Sequence, residues 1–212
     1  MERGVFLQRS PLRSWLAVCA LLAGGSALVA WLTGVAPPVP DLPVHPLAWD
    51  SSQWVRQPWT LWTAAWVHTS VGNLGGNLLA ILGLAIAGAA LGARRPAAIA
   101  LLVAWPVSTL ALLIWPQVTS YSGLGGPIHA AAAVLGAQVA ARPALKAFSP
   151  LLFAALALKL LAEHAWTQPV AFDPSWGFNV VYAAHLTGAL AGAACGAAAM
   201  LLSRGAEHHS DA

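Results

Sequence analysis

Long apolar runs alternate with short polar or proline-rich breaks along this chain, and the runs fall in six stretches: about residues 14–35, 71–93, 97–115, 125–141, 148–165 and 179–202. A bilayer hydrocarbon core of ~30 Å is crossed by roughly 20 apolar helical residues, so each stretch predicts a membrane-spanning helix. The fourth and fifth are short, which predicts tilted or partly sunken helices. The segment between the first two runs is of another kind. Pro37, Pro38, Pro40, Pro43 and Pro46 forbid a regular helix there and favour extended or polyproline backbone, so it reads as a loop with a shape of its own. The expected organisation is all-α and polytopic: an N-terminal segment over 1–13, a six-helix membrane domain over 14–203, and a polar tail over 204–212. The tail from Gly205, with His208 and His209, reads as a frayed end.

Composition agrees with this pattern. With 58% hydrophobic and 8% charged residues, the chain has too little polar surface to cover a water-soluble globule. The charges that remain are informative by position, because Lys and Arg near span ends stay cytoplasmic. Arg3, Arg9 and Arg13 precede the first run; Arg94 and Arg95, Arg142 and Lys146, and Arg204 follow the second, fourth and sixth. Six spans put all of these on one side, which predicts cytoplasmic termini. The other side carries Asp41, Asp50, Asp173 and Arg56, together with Trp31, Trp49, Trp54, Trp59, Trp62, Trp66, Trp115, Trp166 and Trp176. Indoles favour the headgroup layer, so this side reads as an aromatic belt with the long loop lying against it. The first run exceeds the ~7–15 residues of a signal-peptide core and lacks a small-x-small exit, so it reads as a retained helix. The net charge of +3 is accounted for by the span-end arginines and gives no reason to expect nucleic acid. Cys19 and Cys195 lie within apolar runs and read as buried small hydrophobes.

Polar groups at membrane depth are costly unless partnered, and therefore mark candidate sites. His68, Asn73 and Asn77 open the second span, the two amides one turn apart on a single face. Such donors suit an oxyanion hole; they equally suit hydrogen bonding between helices. The fourth span begins Gly123-Leu124-Gly125-Gly126-Pro127, a tight turn into a helix whose first N–H groups favour developing negative charge. His129 follows Gly125 by one turn. The sixth span carries His185 and then Gly188, Gly192 and Gly196, a small-residue stripe that admits a second helix closely. The alanine-rich fourth span is its expected partner, which would bring His185 beside Gly125. Counted from residue 179, His185 lies six residues, or ~9 Å, below the outer end. His129 and His185 offer two imidazoles to a metal, but no third strong ligand is evident, so neither metal nor cofactor is expected. Lys159 and Glu163 are one turn apart, so Lys159 either pairs with Glu163 or snorkels to the interface, and Glu163 and His164 read as solvated near the outer end.

These motifs resemble the rhomboid family of intramembrane serine proteases. Trp59 to Asn77, with His68, Asn73 and Asn77, is similar to the family's second-helix pattern. Tyr121-Ser122-Gly123-Leu124-Gly125-Gly126 with His129 resembles the fourth-helix motif, and Ala184-His185-x-x-Gly188 the sixth. The approach Gln57-Pro58-Trp59-Thr60-Leu61-Trp62 and the Gly-Leu-x-Gly-x-x-His form resemble most the rhombosortase branch, whose proposed substrates carry C-terminal Gly-Gly sorting tails. The resemblance implies a general base at His185 and an oxyanion donor at Asn77. It also sets two departures: Asn73 stands where the family has His, and Gly125 where it has the nucleophilic Ser. Loss of the nucleophile leaves a Ser–His site only its residual ~10³–10⁴-fold acceleration, which implies a degenerate protease that holds transmembrane or C-terminal tail segments of membrane-anchored proteins. The alternative is an active endopeptidase using Ser122. The resemblance implies a bacterial inner membrane, with the site on the periplasmic side, and lipid and membrane-anchored proteins as partners.

Overall fold

The computed structural model describes residues 10–35 and 44–210, with side chains over 12–35 and 44–203. In chain order it comprises α1 (Ser10–Thr33), β1 (Trp49–Asp50), α2 (Thr60–Thr63) running into a 3₁₀ turn (Ala64–Trp66), α3 (Val71–Ala90), α4 (Arg95–Leu110) extended by a 3₁₀ turn (Ala111–Ile114), β2 (Ser120–Tyr121), α5 (Gly125–Ala140), α6 (Ser149–Ala162), β3 (Ala171–Asp173), β4 (Phe178–Val180) and α7 (Tyr182–Ser210). The apolar runs therefore became six helices, within a few residues of their expected bounds except at the C-terminal end of α7. Among the described residues, four segments are long and apolar enough to cross a bilayer, at 12–33, 71–90, 95–114 and 182–203. α5 and α6, with 16 and 14 residues, reach only ~24 and ~21 Å. Most of α5 is buried among its neighbours, from Gly126 to Val139, so protein surrounds most of its length.

Helix α5 is the central post, packed by α7, α4, α6 and α3. The contact with α7 is backbone to backbone. A Cβ added at Gly188 would overlap the carbonyl of Gly126, one at Gly192 the backbone of Ala130, and one at Gly196 would lie 2.9 Å from the Ala137 Cβ. On the far side, α1 packs on α3 and α4, with Trp15 wholly buried over Gly88 and its indole donating to the Leu84 carbonyl at 3.1 Å. Helix α3 is the most outlying: only Ile81 and Gly88 are buried in it. At its C-terminal end Arg142 donates to the carbonyls of Leu91 and Gly92, and Gln138 donates to Leu91 at 3.1 Å. An arginine placed by the charge rule thus also closes the last turn of a neighbouring helix.

The loops carry the departures from expectation. Pro37, Pro38, Pro40 and Pro43 lie outside the described residues; Pro46 sits in a turn closed by Ala48 N–H on the His45 carbonyl at 2.8 Å. Beyond it the loop does not simply lie on the surface. β1 pairs antiparallel with β2, Trp49 opposite Tyr121, and α2 with its 3₁₀ turn tucks Leu61 and Ala64 into a cluster with Trp49, Leu112, Val118 and Ala183. Trp49 is fully buried and leaves the aromatic belt, while Trp31, Trp59, Trp62, Trp166 and Trp176 stay exposed. The sixth helix starts at Tyr182 rather than 179, because residues 178–180 pair with 171–173 in a hairpin. Gly177 supplies the left-handed residue of its turn at φ 73°, and the Asp173 carboxylate accepts from Ser175 N–H at 2.8 Å. His185 is consequently the fourth residue of α7, nearer the helix end than expected. At the other end α7 runs on to Ser210, past the expected stop at 203; Arg, Ala and Glu in that tail are good helix formers.

Candidate functional site

Each wall of the site follows from local chemistry. Ser70, in extended backbone, caps α3 by accepting the Asn73 N–H at 3.1 Å, which fixes where the first turn points its amides. Asn77 Nδ2 donates to Asn73 Oδ1 at 3.1 Å, so the carbonyl of Asn73 is used and its NH₂ group is left to face outward from the pair. The turn into α5 is held from both sides. Gly123, at φ 104°, donates its N–H to the Ala64 carbonyl at 2.9 Å. The buried Tyr121 hydroxyl donates to the Gly123 carbonyl at 2.7 Å and accepts the Gly126 N–H at 3.0 Å. The N–H groups of Gly123 and Gly126 are thus spent on Ala64 and Tyr121, so of the first helical N–H groups expected to favour negative charge, that of Gly126 is already engaged.

Gly125 opens α5, and the side chain closest to it comes from α7. A Cβ built on Gly125 would lie 2.6 Å from His185 Nε2 and 2.7 Å from its Cδ2, so the imidazole occupies the space a side chain at 125 would take. The His185 ring stacks on His129 with centroids 4.2 Å apart and planes 13° from parallel. His129, 5% exposed, is itself tied by Nδ1 to the Gly125 carbonyl at 2.7 Å. Behind His185 stands Glu163: Oε2 is 2.9 Å from His185 Nδ1, and Oε1 accepts from Lys159 Nζ at 2.6 Å. The ring of Tyr182 meets His185 edge-on at 5.7 Å, and its hydroxyl donates to Asp173 Oδ2 at 2.8 Å. That hydrogen bond holds the Asp173 carboxyl below the ordinary carboxylate range.

A cavity of about 690 Å³ gathers the positions singled out in the sequence: His68, Asn73, Asn77, Ser122, Gly125, His129 and His185 all line it. His68 is 5% exposed, with Nδ1 3.2 Å from the Trp66 carbonyl and Nε2 without a protein partner. Lys159, Glu163, Asp173 and Tyr182 line it too. Glu163 is the member that sequence reasoning misplaced. It is not solvated, its side chain being 13% exposed, because the end of α6 leans on α7; His164, in left-handed backbone at φ 51°, ends α6 and is exposed as expected. The Lys159 and Glu163 pair was visible at its one-turn spacing; its contact with His185 was not.

Residues 55–202 match the rhomboid domain. The chain belongs to the rhomboid family. A comparison with curated proteins finds no match. As a rhomboid with, among the described residues, four helices long and apolar enough to span a bilayer, it is an integral membrane protein built as a helical bundle. The matched stretch runs from the loop before α2 to the membrane part of α7 and so contains every residue of the cavity just described; α1 lies before it. Chemically, this rhomboid cavity offers an imidazole oriented by a carboxylate, two hydrogen-bonded amides and a buried ring nitrogen. It places no hydroxyl or thiol at Gly125, the backbone position that His185 covers.

Proposed function

We propose that this rhomboid is a degenerate protease of the rhombosortase type, which binds and holds membrane-anchored proteins by a transmembrane or C-terminal tail segment instead of cutting them. The observation that carries this reading is the fit of His185 over Gly125: the base position is built and oriented, and the place a nucleophile would occupy is filled by the base itself. On this reading Gly125 holds the nucleophile position, His185 the general base position, and Asn77 with Asn73 the oxyanion position, where their amides grip a substrate carbonyl. The tail enters between α3 and α6, which among the described residues have no extended packing against each other. The chain resides in a bacterial inner membrane with both termini cytoplasmic. Arg142 and the turn holding Arg94 then lie on the cytoplasmic side and the cavity opens to the periplasm.

The test is photo-crosslinking of a co-expressed, tail-anchored reporter. The native protein is expected to trap the reporter uncut. Asn77→Ala and His185→Ala are each expected to lower crosslinking about 5–10-fold, the worth of one hydrogen bond of roughly 1 kcal/mol, with both variants still folded in the membrane. Unchanged crosslinking in both overturns a binding role for this cluster. Cleavage by the native protein overturns the degenerate reading and moves the search for a nucleophile to Ser122, which lines the same cavity.

A further inference from the structure

Three side chains from three helices converge beside Gly125: His129 of α5, Glu163 at the end of α6 and His185 of α7, each offering a ligand atom within 4.8 Å of the other two. We propose that they form a binding site for a divalent transition metal, zinc by donor chemistry, with its remaining coordination position open to the cavity. Two imidazoles and one carboxylate are a donor set of open zinc sites, and imidazole disfavours magnesium and calcium, which take oxygen ligands.

The surroundings preset two of the ligands. His129 Nδ1 faces the Gly125 carbonyl at 2.7 Å, an acceptor, so Nδ1 carries the proton and the lone pair is on Nε2. Lys159 engages Glu163 Oε1 and leaves Oε2 turned to His185. The proton now joining His185 Nδ1 to Glu163 Oε2 is the one that zinc replaces, and it leaves to water. Ligand bonds of about 2.0–2.2 Å set tetrahedral donor atoms about 3.3 Å apart. The 2.9 Å contact therefore opens slightly, while His129 Nε2 closes in. Because a metal lies in the plane of each ring that binds it, the His185 ring also turns out of its stack on His129. Gly125 makes the gathering possible. A Cβ there, 2.6 Å from His185 Nε2, would push the ring off its place. This inference stands apart from the substrate-holding role, which needs no metal.

The experiment uses the full chain without an oligohistidine tag, in detergent, with His208→Ala and His209→Ala so that the tail contributes no imidazole. After equilibration with zinc sulfate and passage over chelating resin, metal is counted by mass spectrometry, and cobalt(II) replaces zinc for its visible ligand-field bands. The expected result is about one zinc per chain and tetrahedral cobalt bands. His129→Ala and Glu163→Gln should each weaken binding by more than the ~10–100-fold that losing an outer hydrogen-bond partner costs. Gly125→Ala, with all three ligands present, should weaken it about 10-fold. Zinc-free native protein, or undiminished zinc in Glu163→Gln, overturns the proposal. Glu163→Gln decides it even if the buried His129 variant fails to fold, since the near-isosteric amide adds no bulk at the end of α6.

Discussion

Gly125→Ser is expected to turn the protein into a protease: a tail-anchored reporter left whole by the native chain is cut by the variant. The new Cβ would lie 2.6 Å from His185 Nε2, closer than any stable contact, so the imidazole must swing aside. That adjustment is inexpensive because the obstacle is the end of a rotatable side chain rather than backbone, and Glu163 on Nδ1 gives the swing a pivot. Once displaced, Nε2 faces the serine hydroxyl as an acceptor while Nδ1–H donates to the carboxylate, which is the proton arrangement a serine–histidine–acid site requires. In serine proteases the nucleophile is worth up to about 10⁶ in rate, so even an imperfectly seated serine should raise cleavage at least ~10²-fold above background. Gly125→Ala, which causes the same displacement without a hydroxyl, should stay inactive, and Gly125→Ser with His185→Ala should return to background. The measurement is the ratio of cut to uncut reporter in one gel. A serine variant that still crosslinks the reporter but never cuts it would show that Gly125 is not the vacant nucleophile position.

The second large effect concerns stability. Gly192→Ala adds one methyl group, and that methyl would overlap the Ala130 backbone where α7 crosses α5. No rotamer change relieves a clash between a Cβ and a carbonyl of the central helix, so α7 must move outward, taking His185 with it. The expected cost is about 3 kcal/mol or more, at the upper end for overpacking. Gly83→Ala provides the contrast. It has nothing within 4 Å of an added Cβ, and alanine's better helix propensity should leave it neutral or stabilised by up to about 1 kcal/mol. Resistance to a graded detergent denaturant, or to protease in native membranes, separates the two. Equal stability of the two variants would mean that the α5/α7 crossing is looser than its backbone contacts require.

What the sequence determined by itself is the set of elements and the direction of their faces. A helix in lipid must satisfy its backbone internally and bury its full circumference in apolar surroundings, so each span announces itself as a run of residues. The spans at 71–93 and 125–141 accordingly became Val71–Ala90 and Gly125–Ala140. The stripe Gly188, Gly192, Gly196 is periodic at one turn, so it too could be read before its partner was seen, and it does receive α5. His68, Asn73, Asn77, His129 and His185 could be singled out because polar groups are rare in such runs, Ser122 and Gly125 because they belong to the motif that resembles the family's fourth-helix pattern, and all seven meet in one cavity. Only tertiary structure decided the rest. The hairpin of Ala171–Asp173 with Phe178–Val180 and the pairing of Trp49–Asp50 with Ser120–Tyr121 involve strands too short to impress a period on the chain. The hydrogen bond from His185 to Glu163 spans 22 residues and two helices, and its existence depends on how α6 leans against α7. The same is true of the imidazole lying over Gly125: glycine in the sequence records that a side chain is absent, and only the packing of α7 on α5 determines what takes the space.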